Sequence, residues 1–95
     1  MTKQFVVGKQ YKLVDANKGD GGLAYALAAG VVKFPDDRVF TCRSIGGGNI
    51  THTAHKVAYS HTEGVINKSW GTEGDIPIAY EEDLEAGIFE EVVDG

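Results

Sequence analysis

The chain has 95 residues, with 14 acidic side chains against nine basic ones, one cysteine and 13 glycines. A chain of this length makes one domain around one thin core, since only about 60 to 70% of the unfolded surface is buried at this size. At 42% apolar and 24% charged the composition is globular rather than disordered. No run approaches the roughly 18 apolar residues of a membrane span, and the opening Met1-Thr2-Lys3-Gln4 lacks the apolar stretch of a signal peptide. The single cysteine excludes an internal disulfide framework and a multi-cysteine zinc site. These features predict a soluble, cytoplasmic, single-domain protein over residues 1–95.

In chain order, Phe5 to Asp15 reads as an opening strand, with Gly8 allowing a bend near its start. Asp15 to Gly22 is a loop by composition. Leu23 to Ala29 reads as a short helix, with Asp20 available as an N-cap and Gly30 as a C-cap; Leu23, Leu27 and Val31 would form its core stripe. Pro35-Asp36-Asp37 is a turn. Arg38 to Ile45, rich in β-branched and aromatic residues, is the clearest strand. Gly46-Gly47-Gly48-Asn49 is read as a hairpin connection. Ile50 to Ser60, Gly64 to Trp70 and Ile76 to Tyr80 follow as strands, Glu81 to Gly87 as a helical turn closed by Gly87, and Ile88 to Val93 as the last strand. The expected core comprises Tyr11, Leu13, Leu23, Leu27, Val39, Phe40, Trp70, Leu84 and Phe89.

A meander of short antiparallel strands in a small domain tends to curl into a barrel. At this point the residues meet a resemblance. Phe5-x-x-Gly8-x-x-Tyr11 resembles the opening of small SH3-like barrel proteins encoded by tailed bacteriophages, Val39-Phe40-Thr41-Cys42 fits their second strand, and Leu84-x-x-Gly87-x-Phe89 is similar to their closing turn and strand. The likeness covers most of the chain and departs from the pattern at residues 15–32, where a glycine-rich loop and helix are inserted. It implies a mostly β (α+β) fold: a five- to six-stranded antiparallel SH3-like barrel with one short helix after the first strand. It also implies a viral accessory setting, and it brings no functional residues with it.

Charge is the most informative functional signal. All nine Lys and Arg lie in residues 1–68, beside five acids, whereas residues 69–95 hold nine acids and no Lys or Arg. Because Ile78, Tyr80, Leu84, Ile88 and Phe89 interleave with those acids, the segment is read as folded, with its carboxylates outward. Glu81, Glu82, Asp83, Glu85, Glu90 and Glu91 are the candidate protein-interaction residues, a surface for a host protein that is basic. The opposing reading is that this surface only keeps a small protein soluble.

Other motifs point to less. On a strand His52 and His55 would face apart, and His61 would lie about 20 Å beyond His55, too far to share a zinc ion. Asp15-x-Asn17-x-Gly19 resembles the start of a calcium loop, but the positions that need glycine and glutamate hold Asp20 and Ala26. Neither Gly46-Gly47-Gly48 nor Gly19 to Gly22 is followed by the Gly-Lys-Ser/Thr of a P-loop. Cys42, mid-strand, reads as a core residue rather than a nucleophile. Adjacent carboxylates such as Glu81-Glu82 or Glu90-Glu91 would face apart on a strand instead of converging on one cleft.

The expectation is therefore a non-enzymatic binding protein with no catalytic, cofactor or metal site. A nucleic-acid module using Lys9, Lys12, Lys33, Arg38, Arg43, Lys56 and Lys68 is the first alternative, opposed by the sequence pI near 5.0. A self-associating virion or assembly component, pairing through an exposed edge strand, is the second.

Overall fold

The computed structural model of the chain describes residues 4–19, 21–47, 56–68 and 76–93. Seven strands and two helices follow one another as β1 (Gln10–Leu13), α1 (Gly22–Ala28), β2 (Val32–Lys33), β3 (Val39–Gly47), β4 (Lys56–Ser60), β5 (Ile66–Asn67), β6 (Ile76–Tyr80), α2 (Glu81–Ala86) and β7 (Phe89–Glu91). Five strands form an antiparallel sheet in the order β6-β4-β3-β1-β7, and β2 pairs with β5 as a separate two-stranded sheet. The fold is thus mostly β, as expected, but with two helices rather than one and a second small sheet. The larger sheet is not closed, and β6 and β7 are its edges.

That sheet cannot be flat. Phe89 lies level with Leu13 and the start of β3, whereas Tyr80 lies level with Val57 and with Gly46 near the end of β3. In a flat sheet the two residues would stand about 30 Å apart, at ~4.8 Å between strands and ~3.3 Å per residue along them. One short helix and its flanking residues span at most about 20 Å. The sheet therefore coils until its edges approach. Register shifts in the β3–β4 pairing between Cys42 and Ser44, and in the β4–β6 pairing between Ala58 and Tyr59, supply the bends. β3 gives its first residues to β1 and the rest to β4, so it carries the main fold of the sheet.

The concave side closes over an aromatic core. All four phenylalanines of the chain, Phe5, Phe34, Phe40 and Phe89, are buried there with Tyr11. Phe40 and Phe89 meet edge to face at 5.6 Å, and Phe5 and Tyr11 at 4.7 Å, the arrangement that aromatic quadrupoles favour. Leu13, Leu84, Ile76, Ile78 and Ile88 complete the cluster. Of the expected core residues, Tyr11, Leu13, Phe40, Leu84 and Phe89 are buried, Val39 is half-buried, and Leu23 and Leu27 only pack against the cluster's margin. Trp70 lies outside the described residues.

Local chemistry explains the element ends. The opening strand is shorter than Phe5 to Asp15 because Gly8 takes φ +92° and Lys9 N–H donates back to the Val6 carbonyl, which turns the chain before β1. Phe5 is still buried, and the Val6 amide donates to the Tyr11 hydroxyl at 2.7 Å. The N-cap position of α1 is Gly21 at φ +81°; Asp20, the expected cap, lies outside the described residues. Pro35-Asp36-Asp37 is a turn: Arg38 N–H donates to the Pro35 carbonyl at 2.8 Å, and Asp37 Oδ1 accepts from the Val39 amide. Gly46 and Gly47 extend β3 instead of leaving it; Gly48 and Asn49 of the expected hairpin connection lie outside the described residues.

Candidate functional site

α2 carries the densest group of candidate residues. Its first turn is Glu81-Glu82-Asp83, the favourable place for negative charge beside the helix N-terminal amides. Asp83 Oδ2 accepts the Tyr80 amide at 3.2 Å and so fixes where the helix starts. At the other end Gly87 takes φ +90°; its N–H donates to the Leu84 carbonyl, and the Ile88 N–H to the Asp83 carbonyl. That is a Schellman closure, which needs the left-handed conformation glycine supplies. Leu84 is the helix's one buried residue. It anchors α2 to the core and leaves Glu82 and Glu85 exposed, with Glu81 and Asp83 half-exposed.

The six candidate carboxylates are divided between two elements, four on α2 and two on β7. Glu90 and Glu91 sit on β7, paired in register with Lys12 and Tyr11 of β1. Lys9 Nζ lies 3.0 Å from Glu91 Oε1, and that hydrogen bond raises the Lys9 pKa. Opposite charges across neighbouring strands attract: the Glu91 contact engages Lys9 of the proposed basic face, and Lys12 stands in register with Glu90.

Beside α2 lies a cleft of about 300 Å³ that the sequence did not single out. One wall is Leu23 and Ala26 of α1 with Val31; the other is Pro77 and Ile78 of β6. Tyr80, Glu82 and Asp83 also line it, and among the described residues no Lys or Arg does. Pro77 is compatible with β6 because β6 is an edge strand and needs fewer ladder donors. The Asn67 amide donates to the Pro77 carbonyl at 2.9 Å and ties the small sheet to that edge. The signal available in the sequence was the Leu23–Leu27–Val31 stripe: its residues reach only the core's margin, and two of them, Leu23 and Val31, line this cleft.

The remaining motifs resolve simply. Asp15 Oδ1 accepts the Asn17 amide at 3.0 Å, so the calcium-like run is an Asx turn. A Cβ added at Gly19 would meet Ile88 and Ala86, and one added at Gly87 would meet Lys18, which places this loop beside the end of α2. Cys42 is buried, its Sγ 3.6 Å from the Ser44 carbonyl. Burial pushes its thiol pKa up, the reverse of what a nucleophile requires. His61 is exposed, whereas His52 and His55 lie outside the described residues. Among the described residues no group of three His, Cys, Asp or Glu could hold a metal ion, and no helix is long and apolar enough to cross a membrane. No protein family, curated protein or solved structure matches the chain.

Proposed function

We propose that this chain is a non-enzymatic binding domain that docks on a basic host protein through the acids of its C-terminal third, as an accessory factor of a tailed bacteriophage would. The observation that carries the reading is α2, a six-residue helix with acids at Glu81, Glu82, Asp83 and Glu85, in a segment that has no Lys or Arg from residue 69 onward. The helix is held at its start by the Asp83 carboxylate and at its end by backbone hydrogen bonds, so its backbone presents these acids from a defined position. Preorganised charge favours steering and selection of an oppositely charged partner. The SH3-like barrel form of the fold is supported by β7 returning beside β1 and by the coiling that the α2 connection demands.

Nucleic-acid binding is the weaker reading, because Lys9 and Lys12 face Glu91 and Glu90 instead of a free groove. Self-assembly through β7 would bring Glu90 and Glu91 of one copy against those of another, and like charges on paired strands repel. The test is affinity capture from bacterial lysate, with and without nuclease, using the native chain and a triple charge reversal of Glu81, Glu82 and Glu85 to lysine. A stoichiometric protein that survives nuclease and is lost in the variant supports the reading. Equal capture by both chains sinks it.

A further inference from the structure

We propose that α1 is a self-association surface: two copies of the chain pair about a two-fold axis, each inserting Tyr25 into the other's cleft between α1 and β6. The inference goes beyond the acidic docking reading and does not depend on it. α1 reads Gly-Leu-Ala-Tyr-Ala-Leu-Ala, and none of its residues is buried. A helix that is apolar on every face normally lies inside a protein. The apolar run is also longer than the helix, since every residue from Gly21 to Val32 is uncharged in a chain that is 24% charged. Tyr25 projects from this run at 78% exposed, the highest value for a large hydrophobic side chain among the described residues.

Both halves of a self-complementary contact lie on this one patch. The hole is the cleft of about 300 Å³, walled by Leu23, Ala26, Val31, Pro77 and Ile78. An apolar cavity of about 150 Å³ already accepts benzene, so a phenol ring has room. The knob is Tyr25, three residues after Gly22, which also lines the cleft. Residues three apart share one side of a helix, so the ring stands beside the mouth of the hole and, being exposed, does not fill it. A two-fold contact sets the same patch of each copy against the other, which is what a knob next to its own hole fits. Glu82 and Asp83 also line the cleft and have partners within the chain; the contact asks nothing of them, because the ring packs on the aliphatic walls. The exposed residues of the helix region are Gly22, Tyr25, Ala28 and Ala29, small on either side of the ring, so two helices can approach closely. Two tyrosines at about 150–250 Å² each, with these small residues around them, keep the buried total below about 1,200 Å², the range of weak, reversible complexes. The dissociation constant is then roughly 0.05–1 mM.

The test is sedimentation velocity and amide 1H–15N spectra of the full chain, from about 20 µM to about 1 mM. The expected result is a monomer that becomes a dimer, with concentration-dependent shifts at Leu23, Tyr25, Ala26 and Ile78. Each copy carries a net charge of −5, so raising salt from about 50 to about 500 mM screens their repulsion and should tighten pairing about threefold or more. Docking of the acids on a basic partner responds to salt in the opposite direction. Tyr25→Lys should weaken the dimer at least about tenfold, and Tyr25→Phe should keep it. Val93→Lys is the matched control, equal in charge change and placed at an exposed apolar residue after β7; it should leave pairing intact. In a mixture of labelled and unlabelled native chain, intermolecular NOEs from the Tyr25 ring to Leu23 or Ile78 methyls read the contact without any variant. A chain still monomeric at about 1 mM overturns the proposal, as does a dimer that survives Tyr25→Lys or shifts confined to β7. NOEs from the Tyr25 ring to a distant part of its own chain, unchanged by dilution, would show the patch covered from within and overturn it too. The lysate capture judges the docking reading separately, since either result there leaves this one standing.

Discussion

Replacing Gly87 by alanine asks whether α2, and with it the acidic group, is closed as the structure draws it. At φ +90° an alanine Cβ meets its own backbone, at a cost of about 1–2 kcal/mol. The substitution also restricts the unfolded chain, which returns about 0.4–1 kcal/mol. A Cβ at this position would come within 3.3 Å of Lys18 Cδ and Nζ, the far end of a flexible side chain that can move aside. The net destabilisation is therefore about 1 kcal/mol, which lowers the midpoint of a domain this size by about 4–8 °C. Gly8→Ala is the matched control, since it has nearly the same φ, +92°, and nothing within 4 Å. Thermal and urea unfolding followed by circular dichroism should place the two variants within a few tenths of a kcal/mol of each other. Gly87→Asn should fall closer to the native chain, because asparagine tolerates the left-handed region. A Gly87→Ala chain as stable as the native one, or more so, would refute the Schellman closure and with it the fixed presentation of Glu81, Glu82 and Glu85.

Phe40 is fully buried and lies within 6.2 Å of four other rings, so Phe40→Ala should cost about 3–5 kcal/mol, read as a fall in the urea midpoint. The Cys42 thiol, buried and with its pKa raised by that burial, should resist alkylation in the native chain and react fully in urea; fast native labelling would contradict its place in the core. Burial also raises the Tyr11 phenol above its ordinary 10.0. The stability that goes with the raised value is complete below pH 10, the unfolded value, and is lost as pH rises through the folded one. Urea midpoints measured from pH 9 to 12 should thus fall at the alkaline end, and Tyr11→Phe should flatten that fall. Gly46 has ordinary φ, but a Cβ there would lie 2.8 Å from the Tyr59 ring, so Gly46→Ala should destabilise a native chain and be tolerated when combined with Tyr59→Ala.

Where the chain's chemistry is local, the sequence predicts the structure well. Ile76 to Tyr80 is the strand expected, β3 begins beside the expected boundary at Arg38, and α2 ends at Gly87 because only a residue at ease with positive φ can close it. The small sheet was legible only in part: Ile66–Asn67 falls within the strand expected over Gly64 to Trp70, whereas Val32–Lys33 was not expected as a strand. Val32–Lys33 and Ile66–Asn67 are two-residue strands, too short to show a period, and each exists only because the other is present. The candidate site divides in the same way. Acids on α2 could be read from composition, but that Glu90 stands against Lys12 depends on the β1–β7 register, a pairing between the two ends of the chain. The cleft was hidden for a similar reason, since α1 and β6 come together only through the coiled sheet.

The charge asymmetry of the sequence therefore does two jobs. On β7 the acids serve the fold: Glu91 holds Lys9 across the strand pair, and Glu90 and Glu91 line an edge whose backbone groups would otherwise invite another strand. Charge on an edge strand is a standard defence against such pairing. On α2 the acids add little to packing beyond the Asp83 cap, because Leu84 alone is buried there. Glu82 and Glu85 stand exposed. If these acids dock a basic partner as proposed, the affinity of so few surface charges should be modest and should fall as salt screens them, so binding that stays unchanged between low and high salt would count against that reading.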